Sequence, residues 1–144
     1  MSEPRLLVSA CLLGRACRYD GKSKLQADLP AELGERALPY CPEEACGLGT
    51  PRPKAELVGG DGHAVWHGDA RVVDEGGRDC TRDFQRGAVL ALASCLARGG
   101  LGALLKERSP SCGSSEVWIE GALQPGQGVT AALFHRAGLS IDAL

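Results

Sequence analysis

LLVSAC, at residues 6–11, is a short apolar run that ends in small residues and is followed by LLG at residues 12–14. An apolar run of this length, closed by a turn-forming glycine, is typical of a buried β-strand. Cys11 stands at the point where this strand is expected to end. The segment therefore predicts an interior strand with a thiol at its carboxyl end.

Strand and helix patterns alternate along the rest of the chain. The expected strands lie at residues 6–11, 37–41, 101–105 and 117–119. Three helices are expected. The first lies at residues 28–36, the second begins at a cap at Asp79 or Thr81 and stops at Gly99, and the third runs from an N-cap at Thr130 to Ala137. Residues 55–74 hold two alternating pieces separated by GGDG, which indicates a small β-hairpin excursion. The alternation predicts an α/β fold, a mostly parallel sheet flanked by helices, as a single domain over residues 1–144.

The composition restricts the class of protein. The 144 residues carry 16 Lys+Arg and 18 Asp+Glu, a net charge of −2, which argues against binding nucleic acid mainly through phosphates. Aromatic residues make up 4% of the chain, which disfavours a base-stacking surface. We find neither a basic leader with a cleavage site nor an apolar run of membrane-spanning length. We therefore expect a soluble, cytoplasmic protein that does not bind membranes.

The cysteines are the most informative residue type. There are seven, an odd number, and the cytoplasm is reducing, so a disulfide framework is not expected. Cys11 and Cys41 each close an expected strand, and Cys112 lies in the loop after another. Because parallel strands bring their carboxyl ends to one edge, we expect these three thiols to converge there. Cys95 falls on the apolar face of the long helix and is expected in the core. The cysteines without such a placement are Cys17, Cys46 and Cys80.

Two kinds of metal centre suit converging thiols. Structural zinc sites usually show close CxxC pairs, and here the nearest pairs, Cys11/Cys17 and Cys41/Cys46, are spaced more widely. A four-cysteine zinc site from those pairs remains an alternative. Iron–sulfur clusters accept widely separated thiolates. Three thiolates on a four-iron cluster would leave one iron open, which suits Lewis-acid chemistry.

Polar residues flank two of these cysteines. Glu43 and Glu44 follow Cys41 in the sequence CPEE, where a carboxylate can act as a general acid or base or be a solvated loop charge. Ser109 and Ser111 flank Cys112 in SPSCG, where hydroxyls can donate hydrogen bonds to a reacting centre or can simply favour a turn.

Basic residues and histidines supply weaker candidates. Arg52, Lys106 and Arg108 add positive charge that can bind an anionic substrate, although such residues are more often surface charges. His63 and His67 are four apart in the expected hairpin, which would place both on one face of a strand. A metal pair there is the less favoured interpretation, because no carboxylate pattern accompanies it.

Five blocks of the sequence together resemble the thiouracil desulfidases, a family of short bacterial proteins. They are VSACLLG (8–14), RYDG (18–21), CPE with GLGTPRP (41–53), KERSPSCG (106–113) and GVTAALFHRAG (128–138). The blocks occur in the order of the family and extend over nearly the whole chain. One departure is Cys46, where a glycine or another small residue is expected.

The resemblance implies a Rossmann-like fold and a 4Fe–4S cluster held by Cys11, Cys41 and Cys112. It implies non-redox, hydrolytic release of sulfide from a thiolated pyrimidine. Glu43 would be the acid–base residue and a serine of SPSC, preferably Ser109, would assist. Some relatives act on thiolated tRNA with an extra domain, but this chain has neither spare length nor basic excess, so a free base, nucleoside or nucleotide is the expected substrate. A cluster with an open iron is easily lost in air, and the sequence does not decide whether aerobically prepared protein retains it. A cluster-based sensor and a structural zinc protein are the alternatives.

Overall fold

The computed structural model describes residues 5–13, 32–41, 45, 47 and 52–143. In these ranges the strands are β1 (Arg5–Ser9), β2 (Ala37–Tyr40), β3 (Ala55–Val58), β4 (Arg71–Asp74), β5 (Gly100–Leu105), β6 (Glu116–Ile119), β7 (Ala122–Pro125) and β8 (Ser140–Ala143). The α-helices are α1 (Gly62–His67), α2 (Thr81–Ala97) and α3 (Val129–Arg136), and single 3₁₀ turns occupy Ala10–Leu13 and Gly34–Arg36. Residues 28–31 of the helix expected at residues 28–36 lie outside the described residues, and the end of that segment forms the 3₁₀ turn Gly34–Arg36.

The first sheet is parallel throughout and has the strand order β2-β1-β5-β8. Its central strand, β1, is the apolar run at the start of the sequence, and Leu7 and Val8 in it are fully buried. Ser9 at the end of β1 is level with Tyr40 at the end of β2. The parallel sheet and the strands expected from residues 6–11, 37–41 and 101–105 are thus confirmed, each within one or two residues of its expected bounds.

The second sheet has the order β4-β3-β6-β7 and corrects the expected hairpin excursion. β3 and β4 do pair antiparallel, as expected. They are joined by α1 instead of a turn, because the carboxylate of Asp61 accepts the N–H of Ala64 and caps a helix there. β3 also pairs in parallel with β6, which forms an antiparallel pair with β7. The excursion is therefore part of a mixed sheet with four strands among the described residues.

The helices pack against both sheets. Phe134 of α3 and Cys95 of α2 lie in one core cluster with Leu7 and Leu105 of the parallel sheet, which confirms the expected core position of Cys95. Phe84 of α2 lies in a second core cluster with strand residues of the mixed sheet. In the described part of the chain, no helix is both long and apolar enough to cross a membrane.

The start of the last helix differs from expectation. Thr130 is not its N-cap, because the helix begins at Val129 and the capping position is Gly128. The backbone N–H groups of Val129 and Thr130 donate to the carbonyls of Pro110 and Ser111. A neighbouring loop thus supplies acceptors that a side-chain cap would otherwise provide, and Thr130 is completely buried.

Candidate active site at the carboxyl edge of the parallel sheet

The three candidate ligand cysteines follow three adjacent strands of the parallel sheet. Cys11 lies in the 3₁₀ turn directly after β1, Cys41 directly follows β2, and Cys112 is in the loop after β5. β1 lies between β2 and β5, so the three segments leave the sheet at the same edge. Cys11 and Cys112 are each 6% exposed, and Cys41 packs on the hydrophobic cluster that contains Cys11.

The donor chemistry of this edge suits soft metals. Thiolates are the ligands of iron–sulfur clusters and of zinc. Among the residues with described positions, no group of three or more His, Cys, Asp or Glu side chains is placed to hold a metal ion. In a cluster each thiolate binds its own iron, so the sulfur atoms are spread over the width of the cluster, unlike those around a single ion. Three thiols along one edge, from three adjacent strands, are therefore compatible with a cluster.

The loop that carries Cys112 is built around the carboxylate of Glu107. Oε1 accepts the backbone N–H groups of Ser114 at 2.9 Å and of Ser115 and Glu116 at 3.1 Å each, with a longer bond of 3.3 Å from Arg108. Oε2 accepts the hydroxyls of Ser114 at 3.2 Å and Ser115 at 3.0 Å. One side chain thus joins the two ends of the loop.

The surroundings of Glu107 favour the ionised form of its carboxyl. Burial by itself would raise the pKa of this carboxyl. The N–H groups of Glu116, Ser115 and Arg108 and the hydroxyl of Ser115 outweigh burial and lower the pKa to about 2. The N–H and hydroxyl groups of the loop occupy the oxygens of this carboxylate, so Glu107 holds the loop together.

Ser109 and Ser111 have different surroundings. Oγ of Ser109 accepts the N–H groups of Ser111 at 3.1 Å and Cys112 at 3.2 Å, which orders the backbone beside the thiol. Ser111 is 1% exposed, and its hydroxyl shares a 2.7 Å hydrogen bond with that of the buried Thr130. Of the two serines, Ser109 is the more accessible, and the catalytic role of either remains a prediction.

The candidate basic residues are not equivalent. Lys106 donates from Nζ to the carbonyl of Glu107 at 2.8 Å. Arg108 is exposed, lies 3.6 Å from a carboxylate oxygen of Glu116, and has a left-handed backbone with φ of 69°. Arg52 lines a small cavity together with Asp74, Arg78, Cys80 and Phe84, near the start of α2. A role for any of them in binding substrate stays a prediction.

The two candidate histidines lie on a helix, so their expected position on a strand is wrong. His63 is 2.7 Å from the side-chain oxygen of Gln127, and its ring meets that of His135 edge-on at 5.6 Å. His67 accepts a hydrogen bond of 3.1 Å from Arg136. Both side chains therefore join α1 to α3 or to the segment before it. Glu43, Glu44, Cys17 and Cys46 lie outside the described residues.

Sequence reasoning did not single out Glu107 or Ser9, and it gave Thr130 a capping role that belongs to Gly128. Ser9 is buried and its hydroxyl accepts the N–H of Lys106. The only signal for Glu107 was its position beside a loop rich in serine and glycine, whose N–H groups need acceptors. Thr130 was assigned to a cap because threonine is common there.

An α/β fold with thiols at the carboxyl edge of its parallel sheet defines the class of this protein, and residues 6–143 match the family of the 2-thiouracil desulfurases. The chain belongs to this family of enzymes. It is similar over 98% of its length to a solved structure, the [4Fe-4S]-dependent thiouracil desulfidase TudS, with 46% identity, a TM-score of 0.85 and 91% of that chain covered. It is also 39% identical over 140 residues to the protein YbbK of Bacillus subtilis (strain 168). That alignment covers 94% of this chain and 93% of YbbK.

Proposed function

We propose that this enzyme removes sulfur from a thiolated pyrimidine, such as thiouracil or its nucleoside or nucleotide, by hydrolysis. The net change is C=S + H₂O → C=O + H₂S, so no electrons are gained or lost. The observation that supports this proposal most directly is the placement of Cys11, Cys41 and Cys112 after three adjacent parallel strands, in a chain of the 2-thiouracil desulfurase family. The 46% identity to a desulfidase that depends on a [4Fe-4S] cluster adds weight to it.

We propose that Cys11, Cys41 and Cys112 hold a 4Fe–4S cluster. When bound, such a cluster with three protein ligands supplies an open iron, a Lewis acid suited to the soft thiocarbonyl sulfur. The burial of Cys11 and Cys112 would keep the bound thiolates from bulk water. An air-sensitive group of this kind fits the reducing cytoplasm, which is the compartment that we propose.

The protein's own residues would handle the protons and orient the substrate. Glu43, two positions after Cys41, would take a proton from water so that the oxygen can attack carbon. Ser109 keeps a hydroxyl proton to donate, because its oxygen already accepts two backbone N–H groups. That proton would stabilise charge on the substrate. Lys106 and Arg108, on the same loop, and Arg52 would attract an anionic pyrimidine or a nucleotide phosphate.

The proposal is tested by anaerobic reconstitution with iron and sulfide, followed by an assay of sulfide release from 2-thiouracil. We expect iron-dependent release of sulfide with formation of uracil. A chain that binds iron but releases no sulfide from thiouracil or its nucleotides would support a cluster-based sensor and contradict the proposal. A chain that takes up zinc in preference to iron and forms no cluster would support a structural zinc protein.

A further inference from the structure

The loop from Glu107 to Glu116 is closed by a carboxylate that belongs to the loop itself. Glu107 binds the N–H of Arg108 at its start and those of Ser114, Ser115 and Glu116 at its end. Cys112 lies between these two points, two residues before the first of the far N–H groups. The carboxylate thus limits the positions that the backbone of Cys112 can take.

The geometry of the loop shows why an anchor is needed. Arg108 has a left-handed backbone, which costs a non-glycine residue free energy unless neighbouring contacts compensate for it. The loop also contains Gly113, whose backbone is intrinsically mobile when unsupported. The bond from the Arg108 N–H to Glu107 helps to offset the first effect, whereas Gly113 is held by its own N–H bond to the Ser109 carbonyl.

The same carboxylate is poorly placed for acid–base chemistry. Its two oxygens accept four N–H groups and two hydroxyls, all from the loop. A general base needs a lone pair directed at the proton that it removes. Glu107 therefore acts on the reaction only through the atoms that it holds.

We infer that Glu107 is a positioning residue that holds the thiol of Cys112 in place at the carboxyl edge of the parallel sheet. The inference rests on the proposed function in so far as Cys112 is a cluster ligand. Negative charge matters as well as shape, because hydrogen bonds to an ionised acceptor are about twice as strong as neutral ones. Glu107→Gln should therefore weaken the anchor, and Glu107→Ala should remove it.

The test measures alkylation of individual cysteines by iodoacetamide in the full-length, metal-free chain, read out by mass spectrometry. Cys112 is buried, so its alkylation reports opening of its loop. In Glu107→Ala the rate at Cys112 should rise by about tenfold or more, while the rates at the core residues Cys80 and Cys95 stay unchanged. Glu107→Gln should give an intermediate rate, and Glu75→Ala, at an exposed position of the turn after β4, should behave as the wild type.

The comparison between cysteines separates positioning from general stability. If Glu107→Ala raises the rates at Cys80, Cys95 and Cys112 together, the residue stabilises the whole fold and the inference fails. An unchanged rate at Cys112 would also overturn it.

Iron binding provides the second measurement. After anaerobic reconstitution, Glu107→Ala should release its iron to a chelator faster than the wild type and Glu75→Ala do, with Glu107→Gln between them. Equal release from all variants would contradict the inference. If the wild type takes up no iron–sulfur cluster, the proposed function fails, whereas the alkylation rates still decide whether Glu107 positions Cys112.

Discussion

The hydroxyl oxygen of Ser9 accepts the backbone N–H of Lys106 at 2.9 Å, across 97 positions of sequence. Ser9 is the last residue of β1 and is 4% exposed, and Lys106 is the first residue after β5. Beyond this bond the two strands separate, one into the turn with Cys11 and the other into the loop with Cys112. The bond therefore holds together the starting points of the two segments that carry Cys11 and Cys112.

Replacing Ser9 by Ala should destabilise the protein by about 1–3 kcal/mol, because the N–H of Lys106 loses a buried acceptor. The free energy of unfolding in urea measures this change. Ser94→Ala is the control, since the Ser94 hydroxyl accepts a long exposed bond from Arg98 at 3.4 Å. Equal stability of the two variants would show that water replaces the Ser9 hydroxyl without cost.

Single replacement of Cys11, Cys41 or Cys112 by Ser should abolish the absorption at about 400 nm that thiolate-held iron–sulfur clusters show. Each change removes one of the proposed ligands. Cys80→Ala and Cys95→Ala should keep the absorption, because burial raises the pKa of both thiols and keeps them protonated in the core. The ligand assignment would be wrong if Cys41→Ser retained the cluster and Cys95→Ala lost it.

Glu43→Gln should leave cluster assembly and substrate binding intact and reduce turnover on the order of a hundredfold or more. The amide keeps the shape of the side chain but cannot accept a proton from water. Glu44→Gln should cost much less, since Glu44 is one position further along the chain from Cys41 than Glu43. Ser109→Ala should fall between the two. Iron content is measured in every variant, and full activity of cluster-loaded Glu43→Gln would move the acid–base role to Glu44 or Ser111.

The hydroxyls of Ser111 and Thr130 should stabilise the fold as a pair. Ser111→Ala leaves the Thr130 hydroxyl buried without its 2.7 Å partner, at a cost of about 1–3 kcal/mol. Adding Thr130→Val removes the second polar group, so the double variant should be more stable than the sum of the two single changes. Urea unfolding of the four proteins completes the cycle. Additive effects would show that the two hydroxyls act independently.

Stability should depend on pH through Glu107. Its pKa lies near 2 in the folded protein and at 4.5 when unperturbed, so its contribution is complete above pH 4.5 and is lost as pH falls towards 2. The shift corresponds to at most roughly 3 kcal/mol. In urea unfolding at a series of pH values, the difference between wild type and Glu107→Gln should therefore shrink from pH 6 to pH 3. Glu75→Gln should follow the wild type, and a difference that stays constant with pH would contradict this assignment.

Three of the four strands of the parallel sheet could be predicted, because their apolar patterns are local in sequence, whereas β8 was not predicted. β1 contains the apolar residues Leu6–Val8 in succession, and α2 shows a periodic apolar face that includes Phe84 and Cys95, both buried. Such patterns depend on neighbours in sequence, and burial follows directly from them. The strand-end positions of Cys11, Cys41 and Cys112 followed from the same patterns.

The second sheet was harder to predict because it depends on contacts between distant segments. β7 is exposed along its whole length, so it has no apolar pattern, and its pairing with β6 defines it. β3 joins β6 across some sixty positions at Leu57 and Ile119. The same limitation explains why Ser9 was missed and why Thr130 was given a capping role, because each bonds to a residue in a different segment of the chain. Glu107 was missed because no apolar period or turn preference marks a side chain that accepts N–H groups from its own loop.

The place of β1 at the centre of the parallel sheet has a consequence for biosynthesis. β1 leaves the ribosome before β5, and this neighbour pairs with it only after Gly100 has been made. At about 5–20 residues per second, the 71 residues from Cys41 to Cys112 take roughly 4–14 s, and during that time a nascent chain presents Cys11 and Cys41 without the third thiol. Any metal delivered in that interval meets an incomplete set of thiols, so faithful loading must wait until translation of this region has finished.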